Sequence, residues 1–181
     1  MADPPDQPLD LDAHVLSPGE ATQVPASLAL PAVTLGGQEY MVAPAPTPAT
    51  IDISVGTTGR TFRLRLEGEL VGVCWRCVTE TRTAFSMDSW EYQHDGRAPD
   101  QDEEGLDCAY LDADLLDVAR WAQDAIIEGL PNTIVCRRDC AGICSGCGTN
   151  LNTGTCSCEG PRPDPRWAGL AELADRLKDS S

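Results

Sequence analysis

Six of the nine cysteines fall within the 23 residues from Cys136 to Cys158, CRRDCAGICSGCGTNLNTGTCSC, at spacings C-x3-C-x3-C-x2-C-x8-C-x-C. No other feature constrains the fold as tightly. A hydrophobic core takes one small apolar residue at a time, so thiols grouped this closely point to metal ligation, or to disulfides if the compartment is oxidising. An earlier pair, Cys74 and Cys77, lies in VCWRCV, and Cys108 stands alone.

The compartment decides between these readings. The N-terminus, MADPPDQPLDLD, has neither a basic region nor an apolar one, so a secretory signal is not expected. No apolar run approaches the length of a membrane span. A cytoplasmic location follows, where thiols stay reduced and paired cysteines favour zinc. The odd cysteine total also disfavours a fully paired disulfide scaffold.

The formal net charge is −16, from 29 acids and 13 bases. Each four-thiolate shell around a divalent ion adds two further negative charges. Such a chain is a poor stand-alone binder of nucleic acid, because phosphate neutralisation needs concentrated cations. Work on RNA is expected to run through a basic protein partner. Arg76, Arg137, Arg138, Arg162 and Arg166 lie in or near the cysteine turns. They either offset thiolate charge or form a local patch able to touch RNA phosphate.

Hydrophobic periodicity places the remaining elements. Residues 1–48 read as an extended, partly ordered arm with edge strands. Within it, LDLDAHVL is an edge strand or a loose arm, Pro31 demotes Leu28–Leu35 to an edge or extended segment, and Val42–Pro48 is a connection. Residues 49–132 read as a β-hairpin core plus a helix. Ile51, Ile53 and Val55 alternate with polar residues, Gly56–Gly59 turn, and Phe62, Leu64 and Leu66 resume the alternation. The second strand runs on to Cys74. Thr79–Met87 pairs back antiparallel, which puts Cys74 and Cys77 in the reversal. Residues 94–107 carry six carboxylates without calcium-loop spacing and read as a solvated loop. Asp112 or Asp114 caps a helix over about 114–129, with Leu115, Val118, Ala119, Ala122 and Ile126 on its apolar stripe. Residues 133–160 are the cysteine-rich segment. Residues 161–181 hold a C-terminal helix, capped by Asp164 and carrying Trp167, Leu170, Leu173, Ala174 and Leu177. The whole is an α+β protein with an antiparallel β-rich core, and residues 49–181 are expected to form one cooperative domain.

Eight thiols suffice for two tetrahedral zinc sites, leaving Cys108 over; one site instead of two stays open. In one pairing Cys144, Cys147, Cys156 and Cys158 form a local site, while Cys74, Cys77, Cys136 and Cys140 staple the hairpin tip to the segment after the helix. In the other, Cys136, Cys140, Cys144 and Cys147 share an ion, and Cys74 and Cys77 join Cys156 and Cys158. The first is preferred, because its local site resembles a zinc-ribbon loop and its long-range site gives the hairpin cysteines a partner. Gly148, directly after Cys147, suits the positive φ of a metal knuckle. Asn150 and Asn152 can tie the loop by local hydrogen bonds. No catalytic residues are assigned. The two histidines, His14 and His94, lie far from any cysteine pair, where catalytic zinc commonly uses imidazole and keeps an open position. The spacings match no ferredoxin run, no βαβ context surrounds CWRC, and no acid–base pair suggests RNA cleavage.

Four stretches together resemble a known family. LEGELVGVCWRCVTE, LDADLLDVARWAQDAIIEGLP, CRRDCAGICSGCGTNLN and DPRWAGLAEL are similar, in order, to the bacterial YceD family over roughly Leu64–Leu177. Its members are described as large ribosomal RNA subunit accumulation proteins. The resemblance implies a cytoplasmic, non-enzymatic accessory factor in ribosome biogenesis that binds one or two structural Zn²⁺ ions through its cysteines. It also implies a partner among ribosomal or rRNA-processing proteins. Cys108 has no counterpart in the family pattern. The rival reading is a redox-responsive switch that releases zinc on thiol oxidation.

Overall fold

A computed structural model describes residues 7–95, 107–158 and Arg166. They belong to two compact units, Met1–Trp75 with Thr79–Arg138, and Arg76–Val78 with Asp139–Ser181.

The first unit is built on one long hairpin. Strand β5 (Thr47–Val55) turns at Gly56, whose N–H donates to the Gly59 carbonyl at 2.8 Å, into β6 (Gly59–Val73). β7 (Glu80–His94) then pairs antiparallel with the whole of β6, from Val73↔Glu80 to Gly59↔His94. On its other side β6 pairs twice: Arg60–Leu66 with β5, and Glu69–Val71 with β4 (Gln38–Ala43). β2 (Ala21–Leu28) borders β5, and β3 (Val33–Leu35) borders β4, giving an antiparallel six-stranded sheet.

The alternation expected for the hairpin is present. Ile51, Ile53, Phe62, Leu64, Leu66 and Leu70 are buried on one face. The other face carries a charged ladder. Arg63 forms a two-pronged pair with Asp88 at 2.8 and 2.7 Å, and Arg65 reaches Asp52 at 2.7 Å.

Residues before 49 contribute more than their sequence pattern suggested. Val24, Leu28, Val33, Leu35, Tyr40 and Val42 all join the core. Pro31 does separate β2 from β3. The 42–48 connection is shorter than expected, since Val42 and Ala43 end β4 and Thr47 and Pro48 begin β5. Pro48 is tolerated because β5 starts pairing with β6 only at Ala49.

The helix α1 spans Val118–Gly129, starting later than the expected 114. Its cap is Asp117, whose carboxylate accepts from the Arg120 N–H at 3.0 Å, and not Asp112 or Asp114. Residues 111–116 are taken by two short strands, β8 (Leu111–Asp112) and β9 (Leu115–Leu116), with β9 pairing β1 (Leu9–Asp10). Leu115 therefore leaves the stripe and is 47% exposed, while Trp121 replaces it inside. The Trp121 indole N–H donates to the Ser89 hydroxyl at 3.0 Å, and its ring stacks on Tyr110 at 6.0 Å. Burial, then the carboxylates of Asp124, Glu91 and Glu128, push the Tyr110 phenol up to about 12. No helix among the described residues is long and apolar enough to cross a membrane. The expected C-terminal helix and most of the acidic 94–107 loop lie outside the described residues.

Candidate metal centres

Each C-x2-C pair sits in a turn of the same design. In the first unit the Cys74 N–H donates to the Thr79 carbonyl at 2.8 Å; in the second the Cys144 N–H donates to the Thr149 carbonyl at 2.8 Å. In both frames the residue after the second cysteine has positive φ, 57° at Val78 and 73° at Gly148. CWRCVT and CSGCGT are thus one knuckle used twice. Gly148 fills the role expected of it, whereas a β-branched valine in this region is strained. The sequence pattern did not single out Val78, although aligning the two six-residue words places it opposite Gly148.

Within the first unit the hairpin turn meets the chain after α1. The Trp75 N–H donates to the Ile134 carbonyl at 2.8 Å, and the Cys136 N–H points at the Cys74 sulfur at 3.3 Å. Within the second unit the Arg76 guanidinium donates to the Cys140 carbonyl at 3.1 Å, and the Arg76 carbonyl accepts from the Ile143 N–H at 3.1 Å. Gly142, which sequence reasoning passed over, has φ of 76°; a Cβ there would stand 3.1 Å from the Arg76 carbonyl oxygen. Asn152 accepts from the Ala141 N–H at 2.8 Å and donates to the Cys140 sulfur at 3.4 Å, while Asn150 accepts from the Asn152 N–H at 2.9 Å. The two asparagines tie the loop as expected.

The result is two groups of four sulfurs, Cys74, Cys77, Cys136 and Cys140, and Cys144, Cys147, Cys156 and Cys158, with the sulfurs of each group all within 4.8 Å of one another. This is the first of the two pairings considered from sequence. Both groups can hold a metal ion. Zn–S bonds of about 2.3 Å in a tetrahedron put sulfurs about 3.8 Å apart, so the donor sets fit zinc in number, element and spacing. N–H groups aimed at Cys74, Cys140 and, from Gly146 at 3.4 Å, Cys144 suit sulfur that carries negative charge.

The second group shows the electrostatic tension of four close thiols. Cys147 is held down to about 6, first by the Thr149 hydroxyl at 3.2 Å. Backbone hydrogen bonds from Cys147 and Gly146 lower Cys144 as well. Cys158 is pushed up to about 12 by hydrogen bonds with Cys147 and Cys144, and Cys156 rises despite a lowering contribution from the Cys158 backbone. Two of the thiols are held down and two are pushed up, and a bound divalent cation would let all four lose their protons together.

Cys108 joins neither group. It is buried in the apolar core, and burial pushes its thiol up. His94 meets the Asp107 carboxylate at 3.3 Å and is a member of neither cysteine group.

An antiparallel sheet whose hairpin turn and following loop present two tetrathiol groups defines a cysteine-rich protein with two candidate metal sites. The chain belongs to the YceD family, described as large ribosomal RNA subunit accumulation protein YceD, which matches residues 62–174. It is 33% identical over 114 residues to uncharacterized proteins of Mycobacterium bovis and Mycobacterium tuberculosis, covering 61% of this chain and 53% of each relative. The chain therefore spans about half the length of the curated relatives it matches. No solved structure matches it.

Proposed function

We propose that this protein is a non-enzymatic accessory factor in the bacterial cytoplasm, supporting large-subunit ribosomal RNA processing and accumulation, with Zn²⁺ held by its cysteines as a structural element. The observation that carries the reading is that the family match, residues 62–174, encloses all eight clustered cysteines. In this reading the ions supply folding free energy to segments that bury little apolar surface of their own.

The charge of −16 favours a basic partner, a ribosomal or rRNA-processing protein, over direct contact with RNA. Depletion in the native host, followed by quantifying precursor and mature large-subunit rRNA, tests the reading. Mature rRNA should fall and precursor accumulate; unchanged levels of both would sink it.

A further inference from the structure

The two tetrathiol groups share a knuckle but differ in how exposed their cysteines are. Cys74, Cys77 and Cys140 are 0%, 4% and 3% exposed, and only Cys136 of that group is exposed. In the other group Cys147, Cys156 and Cys158 are all exposed and Cys144 is intermediate. The difference also runs through the sequence. The buried group draws its ligands from a hairpin turn and from a segment some sixty residues later. The exposed group draws all four from Cys144–Cys158.

We infer that Cys144, Cys147, Cys156 and Cys158 form an exchangeable site, which takes up and gives up a thiophilic divalent ion such as Zn²⁺ in the folded protein, while Cys74, Cys77, Cys136 and Cys140 form a permanent one. The inference rests on the metal-binding part of the proposed function. Zinc leaves a thiolate shell when incoming donors replace the sulfurs one at a time; no electron moves, and each sulfur stays reduced and takes up a proton or keeps its charge. Such a donor must reach the ion. At the exposed group it has an approach over Gly146, where an added Cβ would lie 3.4 Å from the Cys158 sulfur and 3.8 Å from that of Cys144. The matching position in the other knuckle is Arg76, whose guanidinium is fixed on the Cys140 carbonyl. At the buried group the incoming donor waits for local opening of the chain, which lowers the exchange rate by the population of the open form.

The test begins with the metal-to-protein ratio of the full chain loaded with zinc. A ratio near zero overturns the metal reading itself, and a ratio near one overturns the two-site inference, before exchange is measured. With two ions bound, 4-(2-pyridylazo)resorcinol is added as competing chelator, and release is followed by absorbance alongside far-UV circular dichroism. One equivalent should leave about ten-fold or more faster than the other, with the dichroism unchanged during the fast phase. Cys158→Ser should abolish the fast equivalent and keep the slow one. Gly146→Leu, which alters no ligand, should retain both ions and slow the fast phase several-fold. Two equivalents leaving at one rate, or a fast phase that survives Cys158→Ser, overturns the inference.

Discussion

Gly72, two residues before the first cysteine of the candidate metal sites, should be intolerant of a single methyl group. On β6 it faces the core, and a Cβ added there would stand 2.5 Å from Cδ1 and 2.9 Å from Cε1 of Tyr40, and 3.1 Å from the Glu39 carbonyl oxygen. Carbon atoms prefer about 3.5–4.0 Å, so the overlap with the ring is close to 1 Å. Tyr40 has nowhere to go. It is fully buried, and its hydroxyl lies 3.1 Å from both the Val73 carbonyl and the Gln38 side-chain oxygen. Overpacking of this kind costs about 1–3 kcal/mol, and displacing the phenol sacrifices a hydrogen bond worth about 1 kcal/mol. The lost flexibility of the unfolded chain returns roughly 0.5–1 kcal/mol. Gly72→Ala should therefore lower unfolding free energy by about 2–3 kcal/mol in urea titrations at fixed excess zinc, a condition needed because bound metal adds its own stabilisation. In a Tyr40→Val background the same substitution should cost less than about 0.5 kcal/mol, since the obstructing ring is gone. Equal costs in the two backgrounds would refute the steric argument.

Three further outcomes follow from the geometry. Val78→Gly should raise stability by roughly 1 kcal/mol by relieving a left-handed β-branched residue, while Gly148→Val at the matching position should lower it by about 1–2 kcal/mol; both are read by urea titration. Burial, with Glu128 nearby, raises the Glu91 pKa, so ionising Glu91 opposes folding. That penalty is absent below the unfolded carboxyl pKa and grows as pH rises to the folded value. Glu91→Gln should therefore stabilise the protein at pH 7 and lose its advantage near pH 4; a pH-independent difference would contradict this assignment. Zinc binding to Cys144, Cys147, Cys156 and Cys158 at neutral pH should release at least two protons, one from each raised thiol. Calorimetry in buffers of different ionisation enthalpy, comparing the parent with Cys158→Ser, measures that number.

The hairpin could be read from the chain because its buried face is written with period two from Ile51 to Leu66, and Gly56–Gly59 interrupts the alternation where the chain reverses. The Cys147–Gly148 step was equally legible, since glycine marks a positive φ. The start of α1 was not, because Asp112, Asp114 and Asp117 are equivalent caps on propensity alone. The choice among them was made by β9 pairing with Leu9 and Asp10, more than a hundred residues away. Trp121 was hidden for a related reason: a stripe counted from Leu115 runs past it, and one counted from Val118 includes it. The early strands were under-read because Pro25, Pro31, Pro44, Pro46 and Pro48 break their alternation into short words. Cysteine spacing left two pairings open. Thr79 and Thr149 stand at the same offset from Cys74 and Cys144 and mark each C-x2-C as a complete knuckle. Both pairings give each knuckle a second pair, so the choice is made only by the chain after α1 bringing the Cys136 N–H to the Cys74 sulfur.

That shared frame also isolates what separates the two groups. The backbone hydrogen bond, the positive φ and the spacing are the same in both knuckles, so none of these sets metal accessibility. The two residues between the cysteines do differ: Trp75 and Arg76 in one, Ser145 and Gly146 in the other. Trp75 is held through its N–H to Ile134, and Arg76 through its guanidinium to Cys140 and its carbonyl to Ile143. All four middle residues are exposed, but Ser145 and Gly146 are small, and the Gly146 N–H is directed inward to the Cys144 sulfur. A knuckle with large, anchored middle residues is fastened to its surroundings, and losing its ion would release several contacts at once. A knuckle with small middle residues gives up little beyond the metal–sulfur bonds themselves. Repetition of one turn with different middle residues is thus enough to give one chain a fixed thiolate centre and an accessible one.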